Sequence, residues 1–143
     1  AEAHWSQLSE CPHKEAPPCK ACCKSYIRRF LSGTDTDYPL EEGRRLPLHH
    51  DMFDDDAVVL KNVADSVTLK SDKGTHSVTL SYPNLPYLGL WHAPKTEAPY
   101  ICIEPWSSLP SRQDIVEEFQ YKSDLIRLEQ DEDYQNDWKI TLH

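Results

Sequence analysis

The fold is decided by the stretch from Ser66 to Tyr82, SVTLKSDKGTHSVTLSY. Val67 and Leu69 alternate with Thr68 and Lys70, and Val78, Leu80 and Tyr82 alternate with Thr79 and Ser81. A period of two sends alternate side chains to opposite faces, the pattern of a half-buried strand. Ser71-Asp72-Lys73-Gly74 between the two runs carries turn chemistry, so an antiparallel hairpin is predicted over 66–82. Outward from it, further strands are predicted at Tyr26–Leu31, Ala57–Val63, Tyr87–His92, Tyr100–Glu104, Phe119–Lys122, Leu125–Leu128 and Trp138–Leu142, separated by runs of Pro, Asp and Ser. That spacing predicts an all-β protein. The helical signal at Ser111–Glu118 supports a turn or two, because Ile115, Val116 and Phe119 make too thin an apolar stripe.

The chain has 143 residues, 38% hydrophobic and 27% charged, enough to build one packed core. Asp and Glu number 24 against 15 Lys and Arg, a formal net charge of -9. Such a surface repels polyanions, so nucleic acid is excluded as a partner. Apolar runs such as Ala57–Leu60 and Tyr87–Trp91 fall short of the ~20 residues that cross a bilayer, and no membrane partner is expected.

Two textures divide the chain, with residues 1–24 reading as an irregular Cys- and Pro-rich segment and 25–143 as one strand-rich domain. Of five cysteines, four (Cys11, Cys19, Cys22 and Cys23) crowd into the first segment and Cys102 stands alone. The odd number and the crowding make a poor disulfide framework, which predicts free thiols in a reducing, cytoplasmic setting. Cys11, His13, Cys19 and Cys22 are ligand types that zinc accepts, but the second C-x2-C of a strong zinc motif is missing. No bound metal is expected.

The segment richest in chemistry is Tyr87–Ser111, YLGLWHAPKTEAPYICIEPWSSLPS. Glu104 follows the apolar run Tyr100-Ile101-Cys102-Ile103 and precedes Pro105, which donates nothing to a ladder, so the strand is expected to end there. That leaves a carboxylate at a sheet margin beside Trp106, where it is suited to accept a proton near neutrality. Trp91 and Trp106 offer flat apolar faces of the kind that pack against sugar C–H groups. Read by pattern alone, the same residues also suit a solvated strand end and packed tryptophans.

LGLWHAP followed by APYICIEPW, preceded by LPLHHDMFDDDAVVL and closed by DWKITLH, resembles the C-terminal half of the aldose 1-epimerase (galactose mutarotase-like) family over Leu40–His143. The resemblance implies an all-β, antiparallel β-sandwich of galactose mutarotase type, of which residues 25–143 are expected to be the C-terminal portion. It further implies a cleft that binds a hexose or related sugar and interconverts its α and β anomers without a cofactor. In that chemistry a Glu takes the proton of the C1 hydroxyl while a His protonates the ring oxygen. The base falls on Glu104, Asp56 matches a hydroxyl-orienting carboxylate in Phe53–Ala57, and Trp91, Trp106 and His92 are candidate sugar contacts.

The family's acid His is not matched here, since none of the seven histidines is followed by Pro. His92 and His49 are the available substitutes, and only one of Trp91 and His92 can line a given cleft because neighbours on a strand point to opposite faces. A complementary N-terminal chain or a second copy is therefore an expected partner. The competing reading is a non-catalytic carbohydrate- or partner-binding sandwich in which Glu104 accepts sugar hydroxyls. Arg44-Arg45 suits a phosphate but reads more simply as a solvated loop.

Overall fold

The computed structural model describes residues 7–9, 20–23, 31, 35–42 and 44–143, with 7–9 and 20–23 described by backbone alone. The predicted hairpin is its clearest element. β6 (Ser66–Lys70) and β7 (Ser77–Ser81) pair antiparallel from Ser66↔Ser81 to Lys70↔Ser77 around the loop 71–76. The alternation is obeyed: Leu69, Leu80 and Tyr82 are buried, while Thr68 and Thr79 face each other on the other side with hydroxyls 2.9 Å apart.

The remaining strands are β1 (Gln7–Ser9), β2 (Lys20–Cys23), β3 (Thr36–Asp37), β4 (Arg45–Pro47), β5 (Val58–Lys61), β8 (Tyr87–Trp91), β9 (Cys102–Trp106) and β10 (Lys139–Leu142). They form two five-stranded sheets, ordered β10-β7-β6-β1-β4 and β3-β2-β5-β8-β9. Every strand pair in them is antiparallel. The core draws on both sheets: Leu46, Leu69 and Leu80 from the first, Val58, Leu60, Leu88 and Leu90 from the second, with Phe53, Tyr82 and Leu85 from connections. The expected all-β antiparallel sandwich is what forms.

Several local expectations are corrected. β1 and β2 arise inside the stretch read as irregular, and each is paired on both sides. Neighbouring strands, not local periodicity, make them strands. Pro105 does not end its strand. It pairs with Leu88 as the next-to-last residue of β9, which is the outermost strand of its sheet. An edge strand directs alternate N–H groups away from its neighbour, and Pro at such a position removes no ladder bond.

Phe119–Tyr121 forms a 3-10 turn in place of the strand predicted over Phe119–Lys122, Leu125–Leu128 forms no strand, and Ser111–Glu118 forms no helix. Phe119 and Leu128 are exposed, so the apolar residues that suggested strands have no facing layer among the described residues. Of Tyr26–Leu31, only Leu31 lies within the described residues, in a parallel bridge to Arg112. Cys11, His13 and Cys19 lie outside the described residues, as does the side chain of Cys22.

The segment after β9 is held by an ion pair between a buried lysine and a half-buried aspartate. Lys122 is 8% exposed and donates to Asp124, whose other carboxylate oxygen accepts the Leu109 backbone N–H at 2.5 Å. Burial alone would raise the Asp124 carboxyl, but the bonds from Lys122 and Leu109 outweigh it and hold the carboxyl below its usual value. A carboxyl lowered in the folded state contributes stability above its unfolded value of ~3.9 and loses that contribution as pH falls through its folded value. Asp124→Asn is therefore expected to cost about 1.5–3 kcal/mol at pH 7. The gap to the wild type should shrink in urea unfolding at pH 3, and a gap equal at both pH values would contradict the assignment.

Candidate functional site

The second sheet has one face on the core and one facing away from it. Leu88 and Leu90 of β8 are buried in the core, so Tyr87, Gly89 and Trp91 occupy the opposite, outer face. That face is covered at Val59 and where Tyr87 packs against Leu31, and it is open, in the sense of half-exposed, at Trp91 and along β9. The register pairs Tyr87 with Trp106, Gly89 with Glu104 and Trp91 with Cys102, so these residues of β9 share that face. Glu104 thus sits inside a strand, flanked on its own strand by Trp106 and Cys102, and faces Gly89 across the ladder.

Gly89 is where the packing requires a glycine. A Cβ at this position would lie 2.9 Å from Cζ2 and 3.1 Å from Cε2 of Trp106, so the indole occupies the space a side chain would fill. Gly89→Ala is expected to displace the ring, at about 1–3 kcal/mol in stability, and to change the near-ultraviolet dichroism. An unchanged spectrum would show that Trp106 does not rest on Gly89.

Cys102 is affected by its surroundings. Burial, and then the nearby Glu104 carboxylate, push its thiol up from the usual value, so it stays protonated and neutral near pH 7. At the strand end Tyr100 packs against Trp91 with centroids 6.4 Å apart, and its hydroxyl accepts the Ala93 backbone N–H at 3.2 Å. The result is a row of aromatic rings with one carboxylate and one thiol among them.

Asp56 lies in the turn that leads into β5, at the end of the sheet where β8 finishes. Its φ of 101° is a strained conformation for a residue with a side chain, and its Oδ1 accepts the Ala57 backbone N–H at 2.8 Å. His92 is not brought to the open face. It is 2% exposed, with its ring 4.9 Å from Phe53 and its Nε2 3.0 Å from Nδ1 of His50. His49 is exposed at the start of the 3-10 turn His50–Phe53. Arg44 is exposed in a turn, but Arg45, expected in a solvated loop, begins β4, where pairing with Ser9 of β1 makes it part of the sheet, and its side chain lies 3.7 Å from Glu42.

Sequence reading passed over Gly89, Tyr100 and His50. For Gly89 the signal was present, since a lone glycine between bulky apolar residues of a strand marks a close approach. His50 meets a residue far along the chain, and no local pattern announces such a pair.

No protein-family model matches the chain. The chromosomal and plasmid forms of Protein LacX from Lactococcus lactis subsp. lactis are each 35% identical over 71 residues, 49% of this chain and 23% of theirs. A galactose mutarotase-like protein from Lactobacillus casei superposes with a TM-score of 0.80 at 29% identity, over 99% of this chain and 47% of that one. A galactose mutarotase related enzyme from Lactobacillus acidophilus superposes at 0.78 and 23% identity, over 100% of this chain and 46% of its own, a likeness of fold. This chain thus covers about half the length of these solved structures and under a quarter of LacX. Its two antiparallel sheets and these likenesses together give the chain the fold of one half of a galactose mutarotase-like protein.

Proposed function

We propose that this chain carries the base-bearing part of a site that interconverts the α and β anomers of a hexose. The observation that supports this best is the placing of one half-exposed carboxylate, Glu104, between Trp91 and the Trp106 indole that rests on Gly89, on the outer face of the sheet. Indole faces pack against the C–H side of a pyranose, and a carboxylate at their margin meets its hydroxyl edge. Glu104 takes the proton of the C1 hydroxyl as the ring oxygen gains one from an acid. The C1–O5 bond breaks, the C1–C2 bond rotates, and closure on the other carbonyl face returns both protons. Asp56 orients a sugar hydroxyl through the carboxylate oxygen not engaged by Ala57.

The acid belongs to the other part of the fold, because His92 is held in the core and His49 lies in a separate turn. The partner that completes the site is the complementary half of the sandwich, joined to this one or supplied by a separate chain. The protein works in the cytoplasm on a free sugar.

The buried position of His92 favours a second reading, a carbohydrate-binding sandwich with no acid and no turnover. Polarimetry on fresh α-galactose with a protein containing both halves separates the two. Anomer exchange above the buffer rate supports the enzyme, and saturable galactose binding without faster exchange supports the binding module.

A further inference from the structure

We propose that Glu97, His50 and His92 form a proton-linked latch that positions the 93–100 loop, and with it Tyr100, at the rim of the open face. The importance of that rim rests on the sugar-site reading, whereas the proton chemistry stands on the contacts alone.

His92 lies just beyond β8, and its buried ring has one partner for two nitrogens. Nε2 meets Nδ1 of His50 at 3.0 Å, and Nδ1 has no hydrogen-bond partner. His50 comes from the 3-10 turn before β5, and its Nε2 lies 3.5 Å from a carboxylate oxygen of Glu97 in the loop after β8. A nitrogen-to-nitrogen hydrogen bond needs one N–H and one lone pair. Glu97 favours a proton on Nε2 of His50, which leaves its Nδ1 as the acceptor. His92 must then donate from Nε2, and its lone pair on Nδ1 is the orphan.

A first proton fits this arrangement. It enters at Nδ1 of His50, the imidazolium is balanced by Glu97, the bond reverses, and His92 moves its own proton to Nδ1. A second proton does not fit, because two N–H groups would face each other in a buried site. The rings must then separate. Of the other charged or titratable groups of the two segments, His49, Asp51, Asp54, Asp55, Lys95, Tyr100 and the Glu97 carboxylate itself are exposed, and Asp56 is half-buried and accepts the Ala57 backbone N–H; Asp54 accepts the Lys95 backbone N–H at 3.1 Å. The rings packed on His92 are His50, Phe53 and Tyr100, the last with its centroid 6.2 Å away. Separation of the histidines shifts the His92 ring on which Tyr100 packs, and so disturbs Tyr100 where it meets Trp91, although its hydroxyl keeps the Ala93 N–H.

Histidine-labelled nitrogen NMR reads each step. Near pH 8, His92 and His50 are expected as the Nε2–H tautomers. On acidification His92 should switch to Nδ1–H as His50 becomes charged, and a second step should weaken the nuclear Overhauser contact between the Tyr100 and Trp91 rings. His50→Gln keeps an acceptor but does not titrate, so the Tyr100–Trp91 contact should survive to lower pH. His92→Phe, which fills the same apolar space, should remove the dependence altogether. An Nδ1–H tautomer of His92 at pH 8, two independent titrations without a tautomer change, or a Tyr100–Trp91 contact indifferent to both steps would each overturn the latch. Galactose affinity insensitive to pH alongside an intact latch would count instead against the open face as the sugar site.

Discussion

Glu104→Gln, in a protein containing both halves of the sandwich, is expected to slow anomer exchange by a factor on the order of 10²–10⁴ while galactose affinity changes by less than about tenfold. Gln has the shape of Glu and still hydrogen-bonds sugar hydroxyls, but it does not accept the C1 hydroxyl proton. Its neighbours Trp106, Gly89 and Trp91 stay in place, so the binding surface persists. The effect should appear in kcat far more than in KM, as it does when an interaction specific to the transition state is lost. Polarimetry at several galactose concentrations gives both constants. A loss below about tenfold in kcat would remove Glu104 from the role of base.

The second large effect concerns the 143 residues alone. β10 is the outermost strand of its sheet, and its register places Ile140 opposite Leu80 and Leu142 opposite Val78, on the core-facing side. Yet Ile140 is 54% exposed and Leu142 77%, and Trp138 beside them 61%. The inner face of the first sheet extends past the cover that the described residues give it. Val116 and Phe119 are exposed as well. Apolar faces and open sheet edges of this kind associate.

The isolated 143-residue chain is therefore expected to sediment as oligomers at micromolar concentration and to leave the anomer exchange of glucose and galactose at the buffer rate. Replacing Ile140 and Leu142 together by Lys should shift it toward monomer. A compact monomer that accelerates exchange would contradict both expectations and would require the acid to be a histidine of this chain.

The sequence made the sandwich legible wherever a strand carries its own alternation. Val67, Leu69, Val78 and Leu80 announce β6 and β7 without help, because one side of each strand is buried by its own fold. β1 and β2 were illegible because short strands between two neighbours need no apolar period; pairing on both sides defines them. Phe119–Tyr121 misled for the opposite reason, as its aromatic residues suggest a strand whose facing layer is not among the described residues.

The site divides in the same way. Glu104, Trp106 and Trp91 stood out by type and spacing, and their common face follows from the period of two. That Pro105 continues the strand depends on β9 being an edge, a property of the sheet and not of the segment. Alternation correctly separated Trp91 from His92, but the meeting of His92 with His50 is a tertiary contact that needs the whole fold.

The central claim is that the open face of β8 and β9 receives the sugar, and the indole N–H signals of the four tryptophans test it most directly. With the indole nitrogens labelled in a protein containing both halves, titration with galactose is expected to shift the signals of Trp91 and Trp106 along one saturable curve and to leave Trp138 unmoved. Saturation by galactose with Trp91 and Trp106 unchanged would show that the sugar binds elsewhere and would contradict the claim.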